Sequence, residues 1–141
     1  MLYTDERDPG NEMPEFGDHV DKTMFEQILE MDEDEKERDF SKPLIYNFFE
    51  QAADTFERME RELEQKNLSE LSRLGHFLKG SSATLGFIKI RDSCEVIQEQ
   101  GKLAGSESDL AACLDKIRDA LAQARNDTDE LRNLMIKYFE N

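Results

Sequence analysis

Apolar residues recur every three or four positions over most of this chain, which is the spacing of one face of an α-helix. The longest such stripe occupies the last segment and steps alternately by four and three residues. Its members are Leu110, Leu114, Ile117, Leu121, Ala124, Thr128, Leu131, Met135 and Tyr138. The sequence shows no alternation of apolar and polar residues that would indicate a β-strand. The pattern therefore predicts an all-α protein.

Four further helices are predicted upstream of that segment. Asp21 is placed to cap a short first helix, and Ser41 is placed to cap a long second helix over about 41–65. A third helix is expected over about 69–86. The fourth should stop in the turn-forming stretch 101–108.

The apolar faces of these helices need partners. A homodimeric coiled coil through the last helix would cover one face, and an antiparallel four-helix bundle within one chain would cover them all. Ala124 and Thr128 are small or polar for coiled-coil positions, which favours a monomeric bundle. We predict an antiparallel four-helix bundle over 21–141 with an additional short N-terminal helix.

Two charged segments are predicted to lie outside the helices. Residues 1–20 contain six acidic residues and only one basic residue, together with two prolines and two glycines, which predicts an acidic flexible leader. His19 in that leader has no neighbouring ligand set, so no metal site is assigned to it. The acidic run 32–39 lacks the glycine of a calcium loop and has Pro43 at the position of its last ligand, so a solvated loop is expected.

Charge and composition restrict the possible partners. The 18 basic and 33 acidic residues give a net charge of −15, which disfavours binding to nucleic acid or to an anionic membrane surface. No stretch approaches the roughly 20 apolar residues of a membrane span, and no signal peptide is recognisable, so an intracellular protein is expected. Cys94 and Cys113 form no CxxC pair and are expected to be reduced, buried thiols.

The chemistry of the sequence centres on His76. A turn of about 100° per residue places this imidazole on the side of the third helix opposite its leucines, and therefore in solvent. Lys79 follows one turn later, and Gly80 leaves the adjacent helix surface bare, although a glycine within a helix costs about 1 kcal/mol relative to alanine. A neutral imidazole is a nucleophile near pH 7. A phosphoryl group on this imidazole would lie near the Lys79 ammonium group and in the space left by Gly80.

The sequence also lacks the motifs of enzymes that obtain a phosphoryl group from a nucleotide. It has no Walker A loop, no Gly-rich nucleotide fingerprint and no Ser-His-Asp arrangement on a nucleophile elbow. Over residues 68–104, five basic residues stand against four acidic ones, so the histidine lies in the least acidic part of the chain. The residues predict a protein that holds a phosphoryl group but cannot take one from ATP.

His76 and the run Phe-Leu-Lys-Gly-Ser-Ser that follows it resemble the motif of the histidine-containing phosphotransfer (HPt) domain. Most of 21–141 is also similar to the fungal phosphorelay intermediates of this family. The resemblance implies that a receiver domain of a hybrid histidine kinase donates the phosphoryl group from its aspartyl phosphate. It further implies that His76 Nε2 accepts the group and that the aspartate of a response regulator receives it.

The resemblance also implies a role for each neighbour of the histidine. Lys79 would stabilise the phosphoryl group and Gly80 would give it room. Ser81, Gln98 and Lys102 would support the histidine or contact the receiver, and Lys102 stands where the fungal relatives have an arginine. Mg²⁺ would belong to the receiver domain. The chain is therefore expected to be a phosphocarrier rather than an enzyme, with no bound cofactor and no metal.

Docking of a receiver domain requires an apolar surface. Met24, Ile28 and Met31 on the first helix form one candidate, with core packing as an equal alternative for this helix. The candidates beside the histidine are Phe77, Ala83 and Thr84.

Another function fits the same helices. In a non-catalytic helical adaptor, His76 would be incidental, and the first helix or the last helix would recruit a partner. A hydrolase is disfavoured because no second catalytic group is evident. The fungal resemblance implies a location in cytoplasm and nucleus and a role in osmotic stress signalling.

Overall fold

The computed structural model describes residues 16–103 and 107–140, which form five α-helices after a short 3₁₀ turn. The 3₁₀ turn is Gly17–His19, and the helices are α1 Lys22–Leu29, α2 Ser41–Glu64, α3 Leu68–Leu85, α4 Ile88–Gln100 and α5 Glu107–Glu140. Over the described ranges there is no β-strand, which confirms the all-α prediction. None of the helices there is both long and apolar enough to cross a bilayer.

Two of the helix ends follow from local signals in the sequence. The Asp21 carboxylate accepts hydrogen bonds from the main-chain N–H groups of Thr23 and Met24, at 3.1 and 3.3 Å, and so caps α1 as predicted. Gly86 ends α3 with a φ of +78°, in the left-handed region that favours glycine. A β-carbon at Gly86 would also lie 2.9 Å from the β-carbon of Met24, so this turn packs directly against α1.

The start of α2 is capped differently from the prediction. Ser41 is the first helical residue rather than the cap. The Asp32 carboxylate accepts hydrogen bonds from the main-chain N–H groups of Phe40 and Ser41, at 2.8 and 2.6 Å, and from the Ser41 hydroxyl at 2.7 Å. A charged acceptor satisfies these donors better than the serine's own hydroxyl. The loop 32–39 is therefore folded back onto the helix it precedes.

Most of the core is formed by α2 to α5, and Phe16, Val20, Phe25 and Ile28 complete it. The leucines of α3 face it, and on α5 the predicted stripe is buried from Leu114 to Met135 against helices of the same chain. Thr128 fits this interior because its hydroxyl donates to the Ala124 carbonyl at 2.6 Å. Cys94 and Cys113 are free and buried, as expected. The intramolecular bundle is thus confirmed over the coiled-coil alternative.

The N-terminal segment packs against the bundle from residue 16 onward. Phe16 is buried, and the centroid of its ring lies 5.4 Å from the ring centroid of Phe25 and 6.2 Å from that of Tyr138. His19 and Val20 are buried as well. The packed structure therefore begins by Phe16, within the predicted leader, whose residues 1–15 lie outside the described residues. The division of the chain at residue 20 stays a prediction.

The cap of α2 predicts a pH-dependent contribution to stability. Burial opposes ionisation of Asp32, but the hydrogen bonds from Ser41 and Phe40, together with the Arg38 guanidinium, hold the pKa of this carboxyl below its ordinary value. We expect Asp32→Asn to lower the free energy of unfolding by about 1–3 kcal/mol at pH 7. Because the folded-state pKa is depressed, this contribution is complete above the unfolded-state pKa of about 3.9. It is lost as the pH falls through the folded-state pKa.

Urea denaturation of both proteins between pH 3 and 7 measures this difference. Glu35→Gln in the same loop is the matched control, because Glu35 is exposed and forms no hydrogen bond or ion pair among the described residues. It should change the free energy of unfolding by less than about 0.5 kcal/mol. Equal stability of Asp32→Asn and the unmodified chain at pH 7 would show that Asp32 does not cap α2.

Candidate functional site

His76 lies midway along α3 on the face that points away from the core. Its side chain is exposed, and it forms no hydrogen bond or ion pair with any of the described residues. The helical-wheel prediction is therefore confirmed. The imidazole is therefore open to a group brought by another molecule.

The helix beneath the imidazole is held rigidly. Leu71, Leu74 and Leu78 are at most 2% exposed and anchor the opposite face of α3 in the core. A β-carbon at Gly75 would lie only 2.9 Å from the backbone nitrogen of Gln98, so α3 and α4 are in direct main-chain contact there. The backbone of His76 is thus held in place by the packing of α3 against the core and α4.

Gly80 differs from Gly75 in what surrounds it. A β-carbon built at Gly80 meets no atom within 4 Å. Nothing inside the fold requires glycine at this position, whereas packing against α4 requires it at Gly75. The bare helix surface one turn after His76 therefore leaves room for a group from outside the chain.

Lys79 lies on the same exposed side of α3. Its side chain is half-buried and forms no ion pair with the described acidic residues. The ammonium group is consequently available to an anion that approaches the imidazole.

The hydroxyl groups of the motif are engaged within α3. Ser81, Ser82 and Thr84 each donate to the main-chain carbonyl four residues earlier, at 3.3, 2.8 and 3.0 Å. Ser82 is fully buried, while Ser81 is half-buried and Thr84 is exposed. These hydroxyls have their closest acceptors in their own helix, so the supporting role expected of Ser81 stays a prediction.

Gln98 of α4 and Lys102, which follows α4, are the predicted supporting residues outside α3, and the end of α4 packs beside the part of α3 that precedes His76. The Ser72 hydroxyl donates to the Gln98 carbonyl at 2.9 Å, and a β-carbon at Gly101 would lie 2.8 Å from the Ser72 β-carbon. The side chain of Gln98 is buried, and its Oε1 has no hydrogen-bond partner in the described part of the chain. Lys102 is exposed just after Gly101. The structure thus brings Gln98 and Lys102 close to the turn before His76.

The predicted docking residues of α1 divide between core and surface. Met31 is 61% exposed and Met24 is half-buried, but Ile28 is only 8% exposed and belongs to the core with Phe25. Ile28 is thus mostly buried in the chain without a partner, and its assignment to the docking surface stays a prediction. Phe25 and Ile28 are three residues apart and therefore lie on the same face of α1. This face packs against α3, so both residues are buried.

Beside the histidine, Phe77 is 44% exposed, Ala83 is half-buried and Thr84 is exposed, so all three remain available to a partner. Phe40 and Leu44 are exposed too, and they had no predicted role in docking. Leu44 shares the helical spacing of the core residues of α2, so its spacing alone could not reveal this exposure.

Comparison with known proteins agrees with the geometry of the site. The Hpt domain family model matches residues 44–133. The chain is 40% identical over 126 residues to multistep phosphorelay regulator 1 of Schizosaccharomyces pombe, a match that covers 86% of this chain and 42% of the relative. It is 50% identical over 84 residues to the phosphorelay intermediate protein YPD1 of Saccharomyces cerevisiae, covering 59% of this chain and 49% of the relative. The matches thus span about half or less of the length of these curated relatives.

Solved structures share the same bundle. The crystal structure of yeast Ypd1p matches with a TM-score of 0.74 at 32% identity, over 87% of this chain and 95% of that one. Saccharomyces cerevisiae Ypd1, in a co-crystal structure with the receiver domain of its downstream response regulator Ssk1, matches with a TM-score of 0.74 at 35% identity, again over 87% and 95%. The family model spans well over half of the residues and includes the whole of α3 and α4, so the chain belongs to the Hpt domain family.

Proposed function

We propose that this chain is a phosphorelay intermediate. His76 accepts a phosphoryl group from the aspartyl phosphate of a hybrid histidine kinase receiver domain and passes it to the aspartate of a response regulator. The observation that carries the proposal is the exposed imidazole, which has no partner among the described residues, beside the open surface at Gly80. The similarity to proteins described as phosphorelay intermediates supports it, and so does the yeast relative solved with a receiver domain.

The transfer step needs little from this chain beyond a positioned nucleophile. The lone pair of His76 Nε2 attacks phosphorus, a nitrogen–phosphorus bond forms, and the bond from phosphorus to the aspartyl oxygen breaks. The aspartate leaves with the electron pair, and the other ring nitrogen keeps its proton. Transfer to the second receiver reverses these bonds. Lys79 stabilises the negative phosphoryl oxygens, which occupy the space beside Gly80.

Gln98 supports the phosphorylated imidazole in this proposal. After Nε2 is phosphorylated, the proton on Nδ1 needs an acceptor. The buried amide oxygen of Gln98 has no hydrogen-bond partner in the described part of the chain, and its backbone packs beside Gly75. A buried acceptor without a donor costs about 1–3 kcal/mol, so a hydrogen bond from the imidazole would recover that energy. Lys102, exposed next to this region, is proposed to contact the receiver.

The receiver domain is proposed to dock on apolar side chains around α1 and α3. Met31 and Phe77 are the exposed members of this surface, with Met24, Ala83 and Thr84 at its margin. Mg²⁺ belongs to the receiver, where it would neutralise phosphoryl oxygens, and we propose no cofactor for this chain. The chain is accordingly a phosphocarrier whose transfer chemistry is supplied largely by its partner. Its location in cytoplasm and nucleus, and its role in osmotic stress signalling, remain proposals from the family resemblance.

The central prediction concerns the phosphoacceptor. Incubation with a phosphorylated receiver domain and Mg²⁺ should give the unmodified chain an acid-labile, alkali-stable phosphoryl group, and His76→Gln should accept none. Since His76 is exposed and contacts no hydrogen-bond or ion-pair partner in the described ranges, the variant should keep its helix content by circular dichroism. Radiolabel transfer from the receiver measures the outcome. His19→Gln, which removes the other histidine of the chain, is the matched control and should still accept the label.

The adaptor alternative gives the opposite result in cells. If His76→Gln retains full biological activity as well as partner binding, the relay proposal is wrong and the adaptor function holds.

A second prediction separates stability from transfer at Gly80. Gly80→Ala should raise the free energy of unfolding by about 1 kcal/mol, because the site is helical and has space for the methyl group. Gly80→Gln should fold as well but slow phosphoryl transfer by at least about tenfold, because its side chain occupies the space of the phosphoryl oxygens. Urea denaturation and rapid-quench transfer assays measure the two effects.

Gly75→Ala is the matched control for packing. It should destabilise the fold, because its β-carbon would lie within 3.0 Å of two backbone atoms of α4. Transfer by Gly80→Gln at the unmodified rate would contradict the proposed role of the open surface.

A further inference from the structure

A histidine and two carboxylates meet where the N-terminal segment contacts α5. His19 lies in the 3₁₀ turn, and Asp127 and Glu130 are three residues apart on one face of α5. One ligand atom from each side chain lies within 4.8 Å of the other two. His19 Nε2 is 3.1 Å from Glu130 Oε1.

Two of these three groups are buried, and the described residues place no Lys or Arg side chain against the carboxylates of the cluster. His19 is 7% exposed and Asp127 is 3% exposed. His19 Nδ1 is buried and has no hydrogen-bond partner among the described residues. The partner of the Asp127 carboxylate in the described part of the chain is the neutral amide of Gln123, at 3.1 Å. Buried carboxylates are ordinarily paired with an opposite charge or bound to a metal ion. Apart from the His19 imidazole, the described residues offer Asp127 and Glu130 only the neutral amides of Gln123 and Asn126, so the cluster has room for a bound cation.

We propose that His19, Asp127 and Glu130 bind a divalent transition-metal ion, with Zn²⁺ as the best match. One imidazole nitrogen and two carboxylate oxygens suit Zn²⁺, whereas Ca²⁺ and Mg²⁺ prefer sites made of oxygen ligands alone. Ligand bonds of about 2.0–2.2 Å place the donor atoms of a tetrahedral site about 3.4 Å apart. The cluster must therefore contract on binding. The side chain of Glu130 can supply this movement because it is 56% exposed.

The fold arranges His19 before any ion binds. Phe16 packs between Phe25 and Tyr138 on one side of the turn, and Asp18 pairs with Lys89 of α4 at 3.3 Å. A bound ion would add a link from the N-terminal segment to α5 and stabilise the folded chain. The site uses no residue of α3, so the inference is independent of the proposed phosphotransfer.

Calorimetric titration of the metal-free, untagged full-length chain with ZnCl₂ tests the inference. We expect one saturable site, and a rise of about 10 °C in the thermal unfolding midpoint when free Zn²⁺ is a hundred times its dissociation constant. Glu130→Gln and His19→Gln should each weaken binding at least about tenfold. Glu130→Gln decides the matter if His19→Gln fails to fold, because the Glu130 side chain is exposed.

Two variants serve as matched controls. His76→Gln removes the exposed histidine, and Asp129→Asn removes an exposed carboxylate of α5; both should bind Zn²⁺ like the unmodified chain. Three results would overturn the inference: unchanged binding by Glu130→Gln, loss of binding in His76→Gln, or weak uptake at many sites by the unmodified chain. The last would mean that Zn²⁺ only screens the acidic surface.

Discussion

One close contact between main chains determines how the candidate site is presented. At Gly75, α3 approaches α4 so closely that a β-carbon would lie 2.9 Å from the nitrogen of Gln98 and 3.0 Å from the carbonyl oxygen of Cys94. Any larger residue would push the helices apart. Successive helical residues turn by about 100°, so the rotation of α3 that directs Gly75 toward α4 also leaves His76 on the exposed face. The exposure of the imidazole is thus a consequence of packing one residue earlier.

A second contact of the same kind keeps α4 in register with α3. A β-carbon at Gly101 would lie 2.7 Å from the Leu68 carbonyl oxygen, about two turns before Gly75 along α3. The two glycines, one contributed from each side of the pair, hold the helices together by backbone packing. Gln98 takes part in the first of these contacts through its backbone nitrogen and lies three residues before the second. The packing of the two backbones therefore fixes the position from which its side chain extends. This explains why residues from two helices can serve one site.

The sequence predicted those features that depend on one helix at a time. The exposed face of His76 and the buried stripe of α5 follow from helical spacing alone, and both were confirmed. The errors concern contacts between distant segments. Spacing could not show that Asp32 caps a helix nine residues later, or that His19 reaches Glu130 across 111 positions of the chain. Nor could it orient α1, where Ile28 turned out to be buried, because eight residues carry too few apolar positions to select one face.

The charge pattern around the imidazole adds an electrostatic argument for the same site. In a chain with 33 acidic and 18 basic residues, a cation is expected to find an ion pair, and Lys42, Arg73 and Lys89 each do. Lys79 forms none with the described residues, and the residues three and four positions away on either side of it are all uncharged: Gly75, His76, Ser82 and Ala83. Its charge is therefore not cancelled by its own helix. An anion that approaches His76 therefore meets a cation that forms no ion pair among the described residues, and this attraction favours binding of a phosphoryl group beside the nucleophile.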